Sequence, residues 1–204
     1  MKILTGGQPL NKASKGLILL HGRGSNPEDI MSLSYRLDTH DCYIIAPEAP
    51  GRQWYPQSFM AEDRLNEPYL TKSIAIVKSL IDDLSQHFAK ENIFIMGFSQ
   101  GACLALETTA RYAEKFGGVA AFSGALIGHN LDKSRYQDNY YGTKIFIGNS
   151  NIDPHIPLER TEESARLLQS LGAQVTLKIY PGMGHYINDD EIDCVNTHIL
   201  KAKD

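Results

Sequence analysis

The chain has 204 residues, enough for one sizeable core and short for two, so a single domain over 1–204 is expected. Apolar residues make up 42% and charged residues 22%, an ordinary globular composition with no run of the roughly 20 apolar residues that a membrane helix needs. The missing apolar run argues against stable membrane insertion, and a net charge of -4 with the 20 Lys and Arg scattered argues against a nucleic-acid partner. Three cysteines, Cys42, Cys103 and Cys194, are too few and too odd for a disulfide framework, and Met1 to Leu10 carries no secretory apolar core. A cytoplasmic setting is expected.

Strand-like and helix-like segments then alternate. Gly16 to Leu20 is a short apolar run stopped by His21-Gly22, and Tyr43 to Ala46 is another stopped by Pro47. Residues 47–69 hold four prolines and the only Trp, and lack periodicity. Ile74, Val77, Ile81, Leu84 and Phe88 recur at helical spacing. Ile93 to Met96 reads as a strand and residues 100–111 as a helix. Val119 to Phe122 and Lys144 to Ile147 read as strands, separated by an Asn-, Asp- and Tyr-rich stretch over 124–142. Residues 157–171 read as a helix, with Pro157 in its first turn and Gly172 just past its end. Val175 to Tyr180 alternates as a strand, and Ile192, Val195 and Ile199 mark a last amphipathic helix. The alternation predicts an α/β fold: a mainly parallel central sheet with helices on both faces. In such sheets ligands bind outside the carboxyl ends of the strands, so a catalytic side chain should follow a strand. The two aperiodic stretches, 47–69 and 124–142, both follow strands and are expected over the site as lids or walls.

Gly97-Phe98-Ser99-Gln100-Gly101 fits G-x-S-x-G between a strand and a helix. The pentapeptide alone is a weak signal. Its placement is the argument, because the chemistry needs a tight turn that lifts the serine out of the sheet. A serine hydroxyl attacks only when a base takes its proton. Two further residues sit after later strands: Asp153, in the loop from Gly148 to Pro157, and His185, in Pro181-Gly182-Met183-Gly184-His185. The order Ser, Asp, His supplies a nucleophile, an orienting acid and a base. Asp189 and Asp190 lie too near His185 in sequence and are expected to open the last helix. His155, beside Asp153, reads as a loop residue or a pocket wall. The backbone N–H of Gln100 and that of Arg23, in the Gly22-Arg23-Gly24 turn, are expected to hold a developing oxyanion. Trp54, Tyr55, His21 and Ile156 are expected to wall a substrate pocket, and Trp54 and Tyr55 read equally as a small satellite core that pins the loop over the site. Arg23 and Arg52 are each read as an attractor for an anionic substrate group or as a solvated surface charge. No H-E-x-x-H, paired-cysteine or complete G-x-G-x-x-G motif occurs, so neither a metal nor another cofactor is expected.

Leu20-His21-Gly22-Arg23-Gly24, Gly97-Phe98-Ser99-Gln100-Gly101-Ala102, Asp153 with Ile156-Pro157, and Gly182-Met183-Gly184-His185 resemble the phospholipase/carboxylesterase family. That family includes acyl-protein thioesterases and lysophospholipase-like carboxylesterases. The motifs run in the family's order over about residues 16–200. The resemblance implies an α/β-hydrolase fold with no large cap domain and hydrolysis of a small-molecule carboxylic ester or thioester. It implies Ser99, Asp153 and His185 as the triad, with Gln100 and Arg23 as oxyanion donors. Arg23 departs from the aliphatic residue usual in acyl-protein thioesterases, and the Gly51 to Pro56 loop is closer to bacterial carboxylesterases. A non-catalytic scaffold that binds a small molecule is the alternative. Oligomeric state, a homodimer included, stays open.

Overall fold

A computed structural model describes residues 2–136 and 139–201. Seven strands form one sheet: β1 (Ile3–Gly7), β2 (Lys15–Leu20), β3 (Cys42–Pro47), β4 (Ile93–Phe98), β5 (Gly118–Phe122), β6 (Lys144–Ser150) and β7 (Gln174–Tyr180). Their order is β1-β3-β2-β4-β5-β6-β7, and only β1 runs antiparallel to its neighbour. The helices are α1 (Pro27–Met31), α2 (Tyr69–Ser85), α3 (Gln100–Arg111), α4 (Leu158–Ser170) and α5 (Asp189–Val195), the last running into a π-helical turn at Asn196–Leu200.

The sheet is covered on both faces, which is why its central strands are apolar runs rather than alternating ones. Side-chain alternation sends Ile18 and Leu20 to one face, where they pack with α2, α3 and α4. Leu17 and Leu19 go to the other, with α1 and α5. This is the mainly parallel sheet with helices on both faces that the alternating pattern predicts, and the α/β-hydrolase architecture that the resemblance implies.

The expected strands all form, and most are longer than the apolar runs suggest. β6 continues through Gly148 and Asn149 to Ser150 because each pairs in register with β7, from Lys178 to Tyr180. α2 begins at Tyr69, where Leu70 already belongs to its buried stripe. Pro157 caps α4 from outside rather than sitting in its first turn, and Gly172 takes the expected left-handed turn at φ 84°. Asp189 and Asp190 do open α5, behind an Asn188–Glu191 capping box. Two elements go beyond the sequence reading. β1 is a short edge strand ending in two glycines, with one face exposed. α1 is a single turn started by the Asn26 side chain, which accepts from the Asp29 N–H. Neither is long enough to show a period.

Candidate active site

Four loops leave the carboxyl ends of β2, β4, β6 and β7 and meet. The turn after β4 holds Ser99 at φ 54°, ψ -118°, a conformation L-residues rarely adopt. Its neighbours must be glycine. A Cβ at Gly97 would lie 2.4 Å from the Gly101 carbonyl carbon, and one at Gly101 would lie 2.1 Å from the Leu20 carbonyl oxygen. The turn is pinned where the Ser99 N–H donates to the Phe122 carbonyl, 2.9 Å away.

Ser99 Oγ donates to His185 Nε2 at 2.8 Å, and His185 Nδ1 donates to Asp153 Oδ2 at 2.7 Å. An ionised carboxylate only accepts, so the proton belongs on Nδ1 and Nε2 is left basic, facing the hydroxyl. The other oxygen, Asp153 Oδ1, accepts from the backbone N–H of His155 at 2.8 Å and of Ile156 at 3.0 Å. The Asp153 side chain has no exposed surface. Burial by itself would raise its pKa, but the hydrogen bonds from His185, His155 and Ile156 outweigh that and hold the carboxyl below its usual range. Phe98 and His155 flank the imidazole, with ring centroids 4.9 and 4.8 Å away. This chain of contacts can move a proton from a hydroxyl to an imidazole and stabilise the imidazolium that results.

The turn after β2 brings Gly22 against Ser99, since a Cβ there would sit 3.6 Å from the serine Cβ. Arg23 follows it. Among the described residues, neither the Arg23 N–H nor the Gln100 N–H, which opens α3, has a hydrogen-bond acceptor. Both residues also grip the loop over 53–57 with their side chains. Gln100 Oε1 accepts from the Trp54 N–H and its Nε2 donates to the Tyr55 carbonyl. Arg23 Nη1 donates to Gln53 Oε1 and to the Pro56 carbonyl, and Nη2 donates to the Gln57 carbonyl.

A cleft of about 540 Å³ opens beside Ser99. Tyr55 and Ile156 line it as expected, and so does His155. His21 and Trp54 do not. The His21 ring is fully buried, donating from Nδ1 to the Gly22 carbonyl and accepting the Ala49 N–H at Nε2. The Trp54 indole stacks near it, 5.2 Å between centroids, and donates to the His21 carbonyl. Burial lowers the His21 pKa, which keeps the ring neutral in this role. The pair is a brace between the β2 turn and the 53–57 loop, not a wall. Pro56, Gln57, Ser58, Phe59 and Phe98 also line the cleft and escaped the sequence reading. Only their position after Tyr55, in a loop expected over the site, could have signalled the first four.

Of the two aperiodic stretches, only 47–69 reaches the cleft. Residues 124–142, of which 137 and 138 lie outside the described residues, back it from behind, and the Gly128 N–H donates to the Phe59 carbonyl. Arg52 is not among the lining residues and lies 4.0 Å from Glu48. Among the described residues no group of three His, Cys, Asp or Glu could hold a metal ion, and no helix is long and apolar enough to cross a membrane.

Comparison with known proteins finds relatives over nearly the whole chain. The family model described as Phospholipase/Carboxylesterase matches residues 7–203. Acyl-protein thioesterase 1 of Saccharomyces cerevisiae is 30% identical over 95% of this chain and 95% of its own length. A probable carboxylesterase, SOBER1-like, of Arabidopsis thaliana is 30% identical over 86% of this chain and 74% of its own. The crystal structure of a phospholipase/carboxylesterase from Dyadobacter fermentans is 43% identical and superposes with a TM-score of 0.96, covering 98% of this chain and 96% of that one. The family match over nearly the whole length, on a mainly parallel sheet whose strands β4, β6 and β7 are followed by Ser99, Asp153 and His185, makes this chain a member of the phospholipase/carboxylesterase family.

Proposed function

We propose that this chain hydrolyses carboxylic esters or thioesters of small molecules through an acyl-enzyme on Ser99. As His185 Nε2 takes its proton, Ser99 Oγ attacks the substrate carbonyl carbon, and the carbonyl electrons move onto oxygen. The Arg23 and Gln100 N–H groups donate to that oxyanion, and removing one such donor typically costs about 10²–10³ in turnover. The intermediate collapses by breaking the bond to the leaving oxygen or sulfur, which receives the proton from His185. Water then repeats the sequence: it loses a proton to Nε2, attacks the acyl carbon, and Ser99 Oγ leaves with that proton. Asp153 holds the Nδ1–H tautomer throughout and stays ionised. Tyr55, Phe59 and Ile156 supply apolar surface for the substrate.

The observation that supports this reading best is one imidazole in contact with both a strained serine hydroxyl and a buried carboxylate. Ser99→Ala should fold normally and reduce p-nitrophenyl butyrate hydrolysis to near background. A fluorophosphonate probe should label the parent chain on Ser99 and leave the variant untouched. A scaffold used only for binding would not label. Cytoplasmic residence belongs to the same proposal, since Cys42, Cys103 and Cys194 are all free and buried.

A further inference from the structure

The cleft beside Ser99 is lined by neutral groups with one exception. Apart from the imidazoles of His155 and His185, Arg23 is the one ionisable side chain of fixed charge on its wall among the described residues. It differs from the rest of its kind. Arg36, Arg52, Arg64, Arg111, Arg135, Arg160 and Arg166 each have a carboxylate within 4.0 Å. Among the described residues Arg23 has none. Its three bonds go to neutral acceptors, the Gln53 amide oxygen and the Pro56 and Gln57 carbonyls. A guanidinium has five N–H groups, so Nε–H and one N–H on Nη2 remain. The group also lies 5.9 Å from the ring centroid of Tyr55, which lines the same cleft.

We propose that Arg23 receives a carboxylate carried by the substrate, so that the preferred esters or thioesters are anionic. The inference rests on the serine-hydrolase reading above. Neutral acceptors orient the guanidinium without cancelling its charge, and the two remaining donors match the two oxygens of a carboxylate. Because the loop already fixes the side chain, little rotamer freedom is lost when the anion arrives. A guanidinium serving only as a loop clamp would affect charged and neutral substrates alike.

The test compares substrates matched in size. One pair places the charge on the acyl side: p-nitrophenyl hexanoate against the p-nitrophenyl monoester of adipic acid. The other places it on the leaving group: the hexanoyl ester of 4-hydroxybenzamide against that of 4-hydroxybenzoate. In at least one pair the anionic member should have kcat/KM about tenfold higher at low salt, with the preference shrinking as sodium chloride is added. The pair that responds tells which side of the ester meets Arg23. Arg23→Gln should bring that ratio to about one, whereas Arg23→Lys should keep most of it while turnover of both members falls. Should Arg23→Gln not fold, the parent ratio and its salt dependence decide the matter. Equal hydrolysis of both members of both pairs, or a ratio unchanged in Arg23→Gln, overturns the anion site alone. Hydrolysis of none of the four esters overturns the serine-hydrolase reading with it.

Discussion

Replacing Asp153 with asparagine isolates what the carboxylate does. Oδ1 accepts two backbone N–H groups, from His155 and Ile156, and Oδ2 accepts the His185 Nδ1–H. In Asp153→Asn the amide oxygen must keep the first position, because an NH₂ there would face two donors. The NH₂ is then forced towards His185, whose Nδ1 can meet it only as an acceptor. The imidazole proton moves to Nε2 and points at Ser99 Oγ, where a base is needed. Shape and volume are conserved and both backbone N–H groups keep their partner, so the fold should survive. Turnover should not. A wrong tautomer costs about 10⁴ in kcat in a triad of this kind, or about 5 kcal/mol in the barrier. Steady-state hydrolysis of p-nitrophenyl butyrate, with a thermal melt on the same sample, measures both quantities. Activity within tenfold of the parent would refute the tautomer argument and with it the place of Asp153 in the proposal.

The glycines around the elbow make a contrasting pair. Gly101→Ala drives a Cβ to 2.1 Å from the Leu20 carbonyl and should lower stability in urea by about 3 kcal/mol, whereas Gly24→Ala, at φ 78° with open space around it, should lose only about 1 kcal/mol. A loss at Gly101 no larger than at Gly24 would mean the β2 turn yields easily. Glu191 supplies a pH dependence: burial, reinforced by Asp190, lifts its carboxyl from 4.5 to about 7 against the pull of the Asn188 N–H and Arg36. A raised folded pKa on an acid means that the native state binds the extra proton, so stability should fall as pH rises from about 4.5 to about 7, by about 3 kcal/mol from this group. Glu191→Gln should flatten that slope in urea titrations, and an unchanged slope would count against it.

The proposed catalytic part of this molecule was largely legible in its sequence, because each piece of it is local. A serine elbow needs small residues at fixed offsets, and Gly97 and Gly101 supply them at the end of a strand. His185 and Asp153 could be assigned because strands are recognisable and sites lie at their carboxyl ends. What the sequence did not carry was direction. Trp54 and Tyr55 are consecutive residues of one aperiodic loop, and for both the sequence leaves a pocket wall and a core residue pinning the loop equally open. Only Tyr55 lines the cleft, because Gln100 holds both of their backbones, and the indole finds its acceptor in the β2 turn, at the His21 carbonyl. Those contacts join positions more than 30 residues apart, and no local period encodes them. β1 and α1 were missed for the opposite reason: both are local, but β1 is half exposed and ends in two glycines rather than forming an apolar run, and α1 is a single turn.

On the proposed mechanism, catalysis and specificity are not separable parts of this site. Under the proposed mechanism Arg23 and Gln100 each lend a backbone N–H to the oxyanion. The same two residues hold the 53–57 loop with their side chains, through five hydrogen bonds. A residue whose side chain is tied has less freedom to turn its own N–H, so the loop that walls the substrate also steadies the oxyanion donors. Electrostatic stabilisation of this sort depends on donors that need not reorganise as charge develops. Substitutions that reshape the wall at Gln53 to Gln57 therefore act on turnover as well as on substrate choice. Exchanging this loop between relatives to alter specificity would have to carry Arg23 and its three acceptors as one unit.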